Sequence, residues 1–97
     1  MYHYLIVLRA DGRHVLARAF DHFAQAVAKE RGLDNSAKAA VLEHLETLAR
    51  ESILPKRARR KPAMTKAMLA LSARTAAHDS LSAAWERLRS RVSRAAV

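Results

Sequence analysis

Apolar and polar positions follow two rhythms along this chain. The opening stretch, Tyr2-His3-Tyr4-Leu5-Ile6-Val7-Leu8, is aromatic and β-branched, which favours an extended strand. Asp11-Gly12 comes next. That dipeptide suits a two-residue hairpin, because both turn positions must accept positive φ. Folding back there pairs Leu8 with Val15, Ile6 with Ala17 and Tyr4 with Ala19 on a wholly apolar face. The opposite face pairs Arg9 with His14, Val7 with Leu16, Leu5 with Arg18 and His3 with Phe20. It is half apolar, more than a solvated face needs, so Leu5, Val7, Leu16 and Phe20 are the candidate partner or dimer face. A two-stranded ribbon is not stable alone. Helices must cover it, or a partner strand or subunit must.

The same residues admit a second reading. Leu16, Phe20, Phe23 and Val27 recur at i, i+4, i+7 and i+11, the stripe of an amphipathic helix. Residues 13–31 would then be one helix with Asp11 near its N-cap, leaving a single strand that must pair with another chain. The hairpin is favoured because its turn signal is strong and Asp21 is a ready N-cap for a shorter helix over about residues 21–31. Gly32 then stands at the C′ position, where a left-handed conformation is cheap for glycine, with Leu33 folding back on Val27 and Ala28.

Helical periodicity dominates from there on. Asp34, Asn35 and Ser36 can cap a helix over about residues 36–52, with Val41, Leu45 and Leu48 as its seam. Ala37 and Leu42 widen that seam, and Pro55 stops the helix. A third helix over about residues 63–77 carries Met64, Met68 and Leu71, with Pro62 suited to its first turn. A fourth, over about residues 80–95 and capped by Asp79 or Ser80, repeats Leu81, Ala84, Trp85, Leu88 and Val92 at i, +3, +4, +7 and +11. One continuous helix over residues 63–95 is the alternative, since neither Gly nor Pro interrupts it. The fold expected is therefore α-rich α+β: an N-terminal β-hairpin (about 2–9 and 13–19) followed by three or four helices.

Length and composition narrow the class. Ninety-seven residues make one small domain. Half the residues are apolar, but 21 are alanines, so the core is small and a partner or a second copy would help it. There is no cysteine, so disulfides and thiolate metal sites are excluded. The apolar run Leu5–Leu8 is too short for a membrane span or a signal peptide, and a cytoplasmic protein without membrane contact is expected.

Charge is the sharpest signal. The net charge is +9. Residues 1–55 form a neutral half with seven Lys/Arg against seven Asp/Glu, and residues 56–97 form a basic half with eleven against two. Lys56, Arg57, Arg59, Arg60 and Lys61 crowd into an exposed connector, residues 55–62, between Pro55 and Pro62. Such an arm binds phosphates or an acidic surface with strong salt dependence, or acts as a nuclear import signal; the bland reading is a solvated loop. Arg87, Arg91 and Arg94 follow at i, i+4 and i+7 on the last helix, away from Trp85. Their guanidinium forks can track a phosphate backbone, though an ordinary exposed face near a helix C-terminus looks the same. Lys66 adds a cation just after the arm.

No reaction chemistry is written here. The five histidines lack the i, i+4 spacing of a helical metal pair, so neither a metal site nor a cofactor is expected. There is no P-loop, nucleophile elbow or carboxylate pair suited to hydrolysis. Trp85 in an apolar stripe reads as core, with base stacking as the minority role. The chain is expected to be a non-catalytic binding module for nucleic acid, mainly at phosphates, through the 56–61 arm and the last helix. The alternative is a small protein that docks on a protein or nucleoprotein complex through its basic half and the hairpin face, its partner presenting an acidic surface. In size and lack of motif it looks like phage and plasmid inhibitors, anti-CRISPR proteins among them, a likeness of class and not of residues.

Overall fold

The computed structural model describes residues 2–10, 12–53 and 66–95, and all the regular structure among them is helical. Five helices follow in order: α1 Tyr2–Ala10, α2 His14–Lys29, α3 Asn35–Ser52, α4 Lys66–Thr75 and α5 Asp79–Ala95. The expected N-terminal hairpin is absent, and the class is all-α rather than α+β. Burial gives the reason. A hairpin would place Leu8 and Ile6 together on one apolar face, but Leu5 (3% exposed) and Leu8 (0%) are buried while Ile6 is 61% exposed. That is a period near 3.6, not 2. The alanines of residues 13–31 tip the balance further, being strong helix formers and weak strand formers.

The dipeptide that suggested a hairpin ends a helix instead. Gly12 has φ 77°, its N–H donates to the carbonyl of Arg9 at 3.0 Å, and the Arg13 N–H donates to the carbonyl of Leu8 at 2.8 Å. These two bonds form a Schellman motif that satisfies carbonyls left over at the end of α1. Positive φ at glycine is therefore used, but to turn one helix into the next. Asp21, expected as an N-cap, lies inside α2 and accepts a bond from Gln25 at 3.0 Å. The competing reading of residues 13–31 as one helix is close to α2, but the lone strand it left before that helix is α1 instead.

The end of α2 also differs from expectation. Gly32 does not have positive φ, and Glu30 closes the helix in an extended conformation. Gly32 is needed for a close approach: an added Cβ would stand 2.8 Å from Cε1 of His78. Around it, one Glu30 oxygen accepts from the Gly32 N–H (3.1 Å) and the other from the Ser80 hydroxyl (2.8 Å). His78 Nδ1 lies 3.8 Å from the same carboxylate. These partners hold the Glu30 carboxyl below the usual carboxylate range, the Gly32 N–H contributing most, then Ser80. The Lys38 ammonium donates to the carbonyl of Ala28 at 2.8 Å, serving the C-terminal end of α2.

Asp34 caps α3 as expected, its carboxylate accepting from the Ala37 N–H at 2.7 Å. Val41, Leu45 and Leu48 form the buried seam, while Leu42 is partly exposed. The link between α4 and α5 settles the helix count there: the chain turns at residues 76–78 rather than running on. Trp85 Nε1 donates to Ser72 Oγ at 2.8 Å. A continuous helix would hold residues 72 and 85 about 20 Å apart, at about 1.5 Å per residue.

Helices α2 to α5 form a ring in which each packs on two neighbours: α2 on α3, α3 on α4, α4 on α5, and α5 back on α2. Helix α1 lies against α2 and α3. The core at the centre holds Phe20, Phe23 and Trp85 with Leu45 and Leu48 of α3, Leu71 of α4, and Leu81 and Leu88 of α5. Phe23 and Trp85 meet at 5.7 Å between ring centroids, tilted by 57°, and bind α2 to α5. All five stripe residues of α5 are buried. No helix among the described residues is long and apolar enough to cross a membrane.

Candidate polyanion-binding groove

The outer edge of the α2/α5 seam is basic. Two shallow depressions run along it, of ≈ 280 Å³ and ≈ 320 Å³, sharing Val15 and Arg91 and so forming one groove. Arg13, Arg18 and His22 of the α2 side face Arg87, Arg91 and Arg94 of α5 across it. Val15 and Ala19 form part of its floor. No Asp or Glu is among the described residues that line it.

Local sequence explains the arrangement. On α2 the core stripe Leu16, Phe20, Phe23 and Val27 is buried, which turns Val15, Arg18, Ala19 and His22 to an adjoining face. On α5 the buried stripe through Trp85 leaves Arg87, Arg91 and Arg94 outside, all three exposed. The three span about 10 Å of helix axis, at about 1.5 Å per residue.

The guanidinium groups differ in what already holds them. Arg13 donates to the main-chain carbonyl of Ser52, the last residue of α3, where a cation is favoured by the helix dipole. Arg87 Nη1 lies 3.4 Å from His22 Nε2, which accepts from it when that nitrogen carries the lone pair. Arg18, Arg91 and Arg94 make no ion pair or hydrogen bond among the described residues. Arg89 is set apart, 3.8 Å from Glu86 on its own helix. Three unpartnered arginines on one seam repel one another, a cost that an anion would remove.

Of the residues singled out in the sequence, Arg87, Arg91 and Arg94 are thus brought together. Lys66 opens α4 and is exposed, but is not among the groove's lining residues. Lys56, Arg57, Arg59, Arg60 and Lys61 lie outside the described residues. Leu5, Leu16 and Phe20 are buried in the core and Val7 is half-buried, so the face assigned to them disappears with the hairpin. Arg13 and Arg18 were missed. Val15, Arg18, Ala19 and His22 stand at i, +3, +4 and +7, a second stripe that only the helical reading of this segment exposes.

Trp85 is 2% exposed. No group of three or more His, Asp or Glu side chains among the described residues is arranged to hold a metal ion. Comparison with protein-family models, with curated proteins and with solved structures gave no match.

Proposed function

We propose that this protein is a non-catalytic binding module for nucleic acid, holding phosphates in the α2/α5 groove and through the cationic cluster at residues 56–61. The observation that carries the reading is the set Arg18, Arg91 and Arg94: exposed, without partners among the described residues, and gathered from two helices. Guanidinium matches phosphate geometry, and such contacts carry little base preference.

The test is fluorescence anisotropy of a labelled DNA across about 50–200 mM salt. The expected result is affinity that falls steeply with salt, with weaker binding and a shallower salt slope in the triple variant Arg18→Gln, Arg91→Gln, Arg94→Gln. Thermal stability should stay within about 0.5 kcal/mol for each change, because exposed arginines without partners contribute little to the fold. Absence of binding by wild type at low salt would refute the reading.

One observation favours a second reading. Val15 is 55% exposed in the floor of the groove, and phosphates have no use for it. An accessory protein that docks an acidic, partly apolar protein segment would use both the valine and the arginines. Capture of a defined acidic partner by a protein that binds no nucleic acid would support that reading over the first.

A further inference from the structure

A cationic groove for nucleic acid can serve one strand or two. Proteins that hold a single strand without sequence preference pair a basic track with aromatic rings on which bases stack. Among the described residues, the α2/α5 groove has the track without such stacking rings. Phe20 and Phe23 are fully buried beneath α2, and Trp85 is buried with its indole N–H given to Ser72. The one ring among the described residues that line the groove, His22, is engaged with Arg87. The floor of Val15 and Ala19 offers no flat surface for a base.

The cations also come from two sides. Arg87, Arg91 and Arg94 form one row along α5, and Arg18 stands opposite on α2. A single strand presents one line of phosphates. A duplex presents two, flanking a groove, at twice the axial charge density of one strand. No Asn, Gln, Ser or Thr is among the described residues that line the site to read base edges. Resting on the nucleic-acid reading above, we infer that the α2/α5 groove seats the phosphate flank of double-stranded nucleic acid in preference to a single strand, through Arg18, Arg87, Arg91 and Arg94.

Salt dependence gives this a number. Four phosphates neutralised on a duplex contribute about 3.6 to the slope of log K against log salt, at about 0.9 each. The experiment compares a short labelled DNA duplex with each of its separated strands. It uses the whole chain as wild type and as the variant Arg18→Gln, Arg87→Gln, Arg91→Gln, Arg94→Gln. The 56–61 cluster is common to both proteins, so the difference between them isolates the groove. Arg74→Gln, an exposed cation on α4 outside the groove, is the control. Far-UV circular dichroism confirms that the variants fold.

The expected result is tighter binding of the duplex by wild type, a duplex slope shallower by about 3.6 in the quadruple variant, and a much smaller change in the control. A strand bound as tightly as the duplex overturns the inference while leaving the broader reading standing. A quadruple variant with an unchanged duplex slope overturns it too, placing the phosphates elsewhere on the chain. Failure to bind either form at low salt removes the nucleic-acid reading itself.

Discussion

Replacing Gly12 by alanine isolates a backbone effect. Gly12 sits at φ 77°, and a Cβ built there meets no atom within 4 Å. The substitution therefore costs nothing in packing. It puts an L-residue into the left-handed region, at about 1–2 kcal/mol. Against this, alanine restricts the unfolded chain more than glycine, which offsets about 0.4–1 kcal/mol. The net destabilisation is about 1 kcal/mol, which for a domain of this size lowers Tm by about 4–8 °C. Urea unfolding followed by far-UV circular dichroism measures it, with the m-value unchanged because the buried surface is unchanged. Gly12→Asn should cost less, since asparagine visits this conformation more readily. An alanine variant as stable as wild type would refute the Schellman assignment. It would show that the α1–α2 link does not depend on a left-handed residue.

Three further outcomes follow from contacts already described. Arg13→Ala removes the cation from the end of α3 and should lower stability by about 1 kcal/mol in urea unfolding, while Arg91→Ala should not, separating an arginine that holds the fold from one that does not in the same groove. Ser72→Ala leaves the buried Trp85 N–H without its partner. A loss of about 1–2 kcal/mol is expected, with a change in tryptophan fluorescence, whereas an unchanged midpoint would mean the indole finds another acceptor. Glu30 is held below the usual carboxylate range by Gly32, Ser80 and His78. Its contribution is present in full above its unfolded pKa and fades as pH falls through the lower folded one. Denaturation midpoints of wild type and Glu30→Gln, measured from neutral pH into the acid range, should converge as the carboxyl protonates; a constant gap would exclude that linkage.

Legibility in the sequence depended on how far a local signal could be overruled by packing. The stripes of α3 and α5 were legible because their apolar residues repeat over several turns and admit one period. Asp34 was legible as a cap because its chemistry is local. The first 20 residues were not. Leu5-Ile6-Val7-Leu8 is a short apolar run that satisfies either period, and Asp11-Gly12 signals positive φ without saying whether a strand or a helix ends there. Leu5 and Leu8 chose the helix because both could be buried against α2 and α3. That error concealed half the groove. With residues 13–19 as a strand, Arg18 points to a different face from His22. With them as a helix, the two stand one turn apart beside Val15. The α5 arginines were legible because they needed only the period of their own helix. Their facing neighbours needed the tertiary pairing of α2 with α5, which no window of sequence contains.

The groove lies along the joint between α2 and α5, and its residues His22 and Arg87 are 65 positions apart in the chain. The unfolded polypeptide keeps every one of these charges but not their arrangement. A polyanion that grips both walls therefore acts as a splint across the protein's main seam. By mass action, ligand at about 100 times its dissociation constant adds about 2.7 kcal/mol of stability if the unfolded chain does not bind it. For a domain of 97 residues, that is a large share of what keeps it folded. A ligand bound in that way would make the molecule sturdier than it is alone.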